Sequence, residues 1–216
     1  MFTAADPLPE HPQRILVAGV SGSGKSTLAR RIAALLGTRY TELDSLFHGP
    51  NWEPRAEFAE DVENLTQASA WISEWQYSSV RPLLARRADT LIWLDYPMPV
   101  SMLRLIRRTV RRRLRHEELW NGNYEGPLWG IFTDPDHIIR WGWNTRTSLR
   151  ALVPTLDSAF PELHVVRLRS PREADMWLGR LAAEVTAASA ASAASTSQDE
   201  PRQALPVRDQ LFRDQP

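Results

Sequence analysis

The sequence predicts an α/β fold in three layers, with helices on both faces of a mostly parallel sheet. Three observations carry this. Five short segments along the 216 residues read as strands, the first of them a run rich in branched apolar residues, as expected for a strand buried on both faces. Segments with apolar residues three or four apart stand between them, and that alternation of strand and helix calls for a parallel sheet. The first strand also runs directly into a glycine-rich loop that opens a helix, Gly19-Val-Ser-Gly-Ser-Gly-Lys-Ser26.

In chain order, a polar, proline-containing lead over 1–13 precedes a first strand at 14–20. A helix over 25–36 carries Leu28, Ile32, Leu35 and Leu36 at helical spacing and stops at Gly37, a residue suited to a helix C-terminus. A second strand is expected at 39–43, ending at Asp44, and a helix over 55–69 presents Phe58, Val62 and Leu65 on one face. The third strand, 71–73, leads to Glu74; a helix with Val80, Leu83, Leu84 and Ala88 follows, then a fourth strand at 90–94 ending at Asp95. Residues 97–116 read as a long helix with Leu103, Ile106, Val110 and Leu114 as its apolar stripe and arginines elsewhere. After an irregular stretch at 116–136, a helix is expected near 137–152, a fifth strand at 163–168 and a last helix at 173–185. From 186 the chain turns Ala/Ser-rich and then polar, a composition that cannot bury a core, so 186–216 is expected to be a disordered tail behind one domain at 14–185.

Composition narrows the chemistry. With no cysteine there is no disulfide, thiolate metal site or thiol nucleophile. No apolar run approaches the roughly 18 residues that span a bilayer, and residues 1–13 have neither the basic nor the apolar region of a signal peptide, so no membrane partner and a cytoplasmic location are expected. Net charge is zero, yet seven arginines and no acid lie between Arg104 and Arg115. Of the 26 basic residues only Lys25 is a lysine. A compact ammonium on a thin stem fits beneath a pair of phosphates in a tight loop, where a planar guanidinium would not.

The segment 19–26 matches G-x-x-x-x-G-K-[ST] in the strand-to-helix setting that gives the motif meaning. Gly19, Ser21, Gly22, Ser23, Gly24, Lys25, Ser26 and Thr27 are therefore the expected contacts of a nucleoside triphosphate. Backbone N–H groups and the helix dipole face the phosphates, Lys25 reaches the β/γ pair, and Ser26 offers its hydroxyl to Mg²⁺.

The motif Gly-Val-Ser-Gly-Ser-Gly-Lys-Ser-Thr-Leu-Ala at 19–29, Leu-Asp at 43–44, Trp-Ile-Ser-Glu at 71–74 and Leu-Ile-Trp-Leu-Asp at 91–95, followed by an arginine-rich helix, resembles adenylate-kinase-like P-loop kinases. In particular it resembles the bacterial topology modulation proteins, over residues 14–180. That resemblance implies a P-loop NTPase fold with a five-stranded sheet of order 2-3-1-4-5, a mobile lid at about 104–150, and ATP with Mg²⁺. It also implies that Asp44 serves the acceptor or the metal shell, and that Glu74 holds Mg²⁺ through water in place of the Asp-Gly usual there. Asp95 is expected to cap the next helix.

Arg104, Arg108, Arg111 or Arg112, and Arg115 share one helix face, and lid arginines can meet the charge that develops in phosphoryl transfer. Arg104, Arg108 and Arg111 are the expected functional set, with Arg140, Arg146 and Arg150 as a second pool. Trp120, Trp129, Trp141 and Trp143 read as the local core of the lid or as a stacking surface. His48, His116 and His137 show no metal-ligand spacing and receive no role. The expected activity is transfer of the ATP γ-phosphoryl to a small acceptor such as a nucleoside or nucleotide. The alternative is a regulatory ATPase or a nucleotide-gated module that binds nucleic acid through the arginine run.

Overall fold

The computed structural model describes residues 1–9 and 12–198. Strands β1 (Arg14–Gly19), β2 (Trp71–Glu74), β3 (Thr90–Leu94) and β4 (His164–Leu168) form one parallel sheet in the order β2-β1-β3-β4. Val17 stands beside Glu74 on one side and Ile92 on the other, so the carboxyl ends of three strands meet where the glycine-rich loop begins. Open parallel sheets bind ligands at that edge.

The five-stranded sheet of order 2-3-1-4-5 is thereby corrected. Residues 39–43 supply only an isolated parallel bridge from Tyr40 to Ile72. Ile72 N donates to Arg39 O at 3.1 Å and Thr41 N to Ile72 O at 2.9 Å. Ser73 Oγ then donates to Thr41 O at 2.8 Å, a side-chain bond at the point where the pairing stops. The chain turns away into α2 (Leu43–Phe47), which takes up Asp44.

The other helices are α1 (Lys25–Leu36), α3 (Phe58–Gln67), α4 (Arg81–Arg87), α5 (Met98–Leu114), α6 (Gly130–Thr133), α7 (Ile138–Asn144), α8 (Ser148–Leu152), α9 (Leu156–Ala159) and α10 (Pro171–Gln198). On one sheet face Leu28 and Ile32 of α1 and Trp177 and Leu178 of α10 pack over Ile15, Val17, Ile92 and Val166. On the other, Val62, Leu84, Leu149 and Leu156 cover Leu16, Leu91, Trp93 and Val165. Each such side chain contributes about 1.5–3 kcal/mol by leaving water.

Both sheet edges are covered. Tyr40 lies outside β2, and Phe2 bridges Val166 outside β4, with Phe2 N donating to Val165 O at 2.7 Å and Arg167 N to Phe2 O at 2.8 Å. The lead is thus part of the domain. Ala4 and Leu8 are buried, and Arg180 donates to the Ala4 and Asp6 carbonyls at 2.6 and 2.8 Å. At the other end α10 runs to Gln198, so the tail expected from 186 lies partly on a helix, and 199–216 fall outside the described residues.

Helix α5 is rotated from the expected orientation. Its buried residues are Ser101, Leu105 and Thr109, while Leu103, Ile106 and Leu114 are exposed, Leu114 by 71%. The reason lies beneath it. Gly22 is so close that an added Cβ would stand 2.8 Å from Leu105 Cβ. The small residue at this contact is Gly22, whose missing side chain leaves room for Ser101 and Leu105, and the face that bears Leu103, Ile106 and Leu114 is thereby turned outward.

Candidate active site

β1 ends at Gly19 and α1 opens at Lys25, with the intervening loop held by left-handed Gly22 (φ 80°) and Gly24 (φ 99°). Only glycine adopts such angles without strain. The first amides of α1 have no intrahelical acceptors, and with the helix dipole they make an anion-binding end. An open cleft of about 440 Å³ lies above it. Gly22, Ser23, Gly24, Lys25, Ser26 and Thr27 form its floor; Arg104, Arg108, Arg111 and Arg112 of α5 form one wall. Gly19 and Ser21 are not on its surface, and Ser21 instead neighbours Gly142 of α7.

Two carboxylates flank the start of α1. Ser26 Oγ donates to Glu74 Oε1 at 2.7 Å and stands 3.3 Å from Glu42 Oε1. Tyr40 OH donates to the same Glu74 oxygen at 3.1 Å, and Arg30 pairs with Glu42 at 2.8 Å. Glu74 is 1% exposed. Burial pushes its carboxyl above the ordinary range; the Lys25 charge pulls it back, and Asp44 and Glu42 push it further up. A divalent cation would relieve that stress, and the set suits one, since a hard cation takes hydroxyl and carboxylate oxygens. Among the described residues no three His, Cys, Asp or Glu side chains are gathered to enclose a metal. Phosphate oxygens and water would complete the shell.

Asp44 sits in the first turn of α2 rather than at a strand end. Its Oδ1 accepts from Gln76 Nε2 at 2.7 Å and from Tyr77 OH at 2.6 Å. Tyr77 has a left-handed φ of 60°, and burial together with Asp44 raises its phenol well above the usual value. His48 Nε2 lies 3.4 Å from the same phenol. Phe47, His48, Trp52, Phe58 and Trp120 complete an aromatic wall around it, so His48 acquires a place that its spacing in the sequence does not suggest.

The arginines divide by helix face. Arg104 donates to Ser23 O at 3.2 Å and covers the Tyr96 ring. Arg108 has a buried Nε without a partner; burial, and secondarily Arg112, lower its affinity for its proton, while Glu125, Asp44 and Glu42 oppose that. Arg111 pairs with Glu117 at 3.3 Å. In the second pool Arg150 pairs with Asp95 at 2.9 Å. Asp95 also binds Arg167 and is a buried counter-ion rather than the cap of α5, whose N-cap is Pro97.

The segment after α5 is fastened to the aromatic wall. Asn123, 4% exposed, donates to Gly49 O and Trp120 O, each at 2.8 Å, and accepts from Trp52 N at 2.9 Å. Asn121 donates to the His48 carbonyl. Trp120 joins the wall, but Trp129, Trp141 and Trp143 are exposed by 66%, 53% and 47%, so the four tryptophans do not form a common core.

Sheet and loop together define an α/β fold with a parallel sheet and a glycine-rich loop between its first strand and first helix. No family model matches the chain, and no curated protein matches it. Solved structures do. A gluconokinase from Sinorhizobium meliloti 1021 is similar at 22% identity and a TM-score of 0.46, over 82% of this chain and 98% of that one. A shikimate kinase from Acinetobacter baumannii is similar at 15% identity and 0.48, over 82% and 95%. A shikimate kinase from Bacteroides thetaiotaomicron is similar at 14% identity and 0.47, over 78% and 96%. Likeness at this level carries no substrate across.

Proposed function

We propose that the chain is an ATP-dependent small-molecule phosphotransferase. The observation that carries this is Arg108, whose buried, unpartnered Nε stands on the cleft wall facing a complete phosphate loop. A buried guanidinium donor without an acceptor is costly, and a transferring phosphoryl group supplies the missing oxygen.

In this reading Gly22 to Thr27 cradle the triphosphate and Lys25 spans its β/γ oxygens. Ser26, with Glu74 and Glu42 behind it, would hold Mg²⁺, which supplies charge neutralisation at the phosphates. Arg104 and Arg108 meet charge on the transferring group, and Arg111 can join them on leaving Glu117. The acceptor hydroxyl enters beside the aromatic wall, where Asp44, oriented by Gln76 and Tyr77, takes its proton as oxygen attacks the γ-phosphorus and ADP departs. The stretch from Arg104 to Arg150 acts as the lid. The arginine run therefore has an occupation inside the cleft, which leaves less reason for a nucleic-acid module.

The test is a thermal-shift screen of nucleotides with Mg²⁺, then an acceptor panel with ATP. Lys25→Ala and Lys25→Arg should fold, bind ATP more weakly and lose turnover by roughly 10²-fold or more, the worth of one transition-state donor. Wild-type turnover in Lys25→Arg would overturn the assignment of the lone lysine.

A further inference from the structure

A second cavity, of about 190 Å³, lies beside α5, next to the arginine-walled cleft, with which it shares Tyr96. Val20, Met98, Met102 and Gly142 give it an apolar lining, and Ser101, Arg146 and Arg150 supply polar groups. By size it would accept a compact ring, since an engineered cavity of about 150 Å³ binds benzene.

Two observations say what belongs there. Ser101 is 2% exposed, and its hydroxyl is buried without any partner. A buried hydroxyl with nothing to bond costs about 1–3 kcal/mol, so such groups call for an explanation. The second is a surplus of positive charge. Asp95 serves both Arg150 and Arg167. Arg146 has no carboxylate partner among the described residues; it donates to Trp143 O at 2.6 Å and lies over the Trp143 ring. Two guanidiniums, Arg146 and Arg150, thus line a space that also offers a free hydroxyl, and the one carboxylate near them, Asp95, is divided between Arg150 and Arg167.

We infer that this cavity binds a small organic anion, a carboxylate or phosphate monoester on a compact apolar body, with Ser101 and Arg146 on its charged end. Val20 precedes Ser21 in the phosphate loop, and Met98 and Met102 belong to the helix that carries Arg104 and Arg108. An occupant would therefore brace the loop and α5 from behind. The inference stands independently of the kinase reading, because binding can be read without turnover.

Benzoate is a suitable probe, with benzamide as its uncharged counterpart, in calorimetry and thermal shift. Benzoate is expected to bind in the millimolar range or tighter and benzamide at least about tenfold more weakly, the difference that a charge-assisted hydrogen bond makes. Ser101→Ala should keep or raise the melting temperature of the free protein, since no bond is lost, yet weaken benzoate several-fold. Arg146→Gln should weaken benzoate by about tenfold, and Arg108→Gln, a residue of the other cleft, should leave it unchanged. Equal binding of benzoate and benzamide, or loss of benzoate in Arg108→Gln but not in Ser101→Ala or Arg146→Gln, would overturn the site. A phosphomonoester panel with ATP then separates two sources of the same chemistry. An anion that alters ATP affinity without being phosphorylated acts as an effector from this cavity, whereas phosphorylation of the anion would place it on the Asp44 side of the cleft and overturn the site. An anion that binds here and leaves ATP affinity unchanged would overturn the bracing of loop and helix.

Discussion

At the residue scale, the most constrained group is Glu74, which accepts from Ser26 and Tyr40 while almost wholly buried. Its folded pKa lies above the unfolded carboxylate value of about 4.3, so the folded chain holds the proton more tightly. The stability this contributes is full below the unfolded pKa and is lost as pH rises through the folded one. Glu74→Gln keeps an oxygen for both donors and cannot ionise. Without ligand, its melting temperature should gain on the wild type as pH is raised from about 4.5 to about 8. Stabilisation by ATP should depend much less on Mg²⁺ in the variant, by about 10- to 100-fold in metal affinity, as for other groups that orient a metal's ligands. Parallel melting curves across that pH range would show that Glu74 carries no buried charge. That Lys25, Ser26 and the α5 arginines border one cleft was legible because a local motif or a helical period marks them. The contacts of Glu42, Tyr77, His48 and Asn123 were not, because each meets a residue a dozen or more positions away and has no local pattern.

At the element scale, β1, β3 and β4 were legible as largely apolar runs, as strands buried on both faces should be, and β2 as the short stretch Trp71-Ile-Ser. Two elements were not. Residues 39–43 read as a strand, yet after the single Tyr40–Ile72 bridge the chain turns into α2 at Leu43. In α5 the apolar period points outward, because the inner face had to fit against Gly22. Periodicity finds a helix, but the neighbour chooses the buried face. The substitutions that check this are specific. Leu105→Ala should cost about 2–5 kcal/mol in urea unfolding, as a large core side chain does. Leu103→Gln and Leu114→Gln should each change it by no more than about 0.5 kcal/mol, as surface changes do. The reverse ranking would mean that α5 is rotated in solution.

At the scale of the whole molecule, the chain closes its sheet with its own N-terminus. Met1 ammonium reaches Asp157 at 3.3 Å, Phe2 stacks on His164 with ring centroids 3.7 Å apart, and Arg180 holds the turn that follows. These contacts join residues more than 150 positions apart and shield the open edge of β4, which would otherwise be free to pair with another chain. Removing residues 1–9 deletes the buried Leu8 and Ala4, the two main-chain bonds of Phe2, and both acceptors of Arg180. Leu8 alone is worth about 1.5–3 kcal/mol. For a domain of this size each kcal/mol moves the midpoint by about 2–4 °C, so the truncated chain should melt at least about 5 °C lower. It should also associate as concentration rises, because the β4 edge is uncovered. Nucleotide binding, set by the loop at the far side of β3, should persist at low temperature. A truncated chain with an unchanged melting temperature, monomeric by light scattering, would show that the lead is detached in solution.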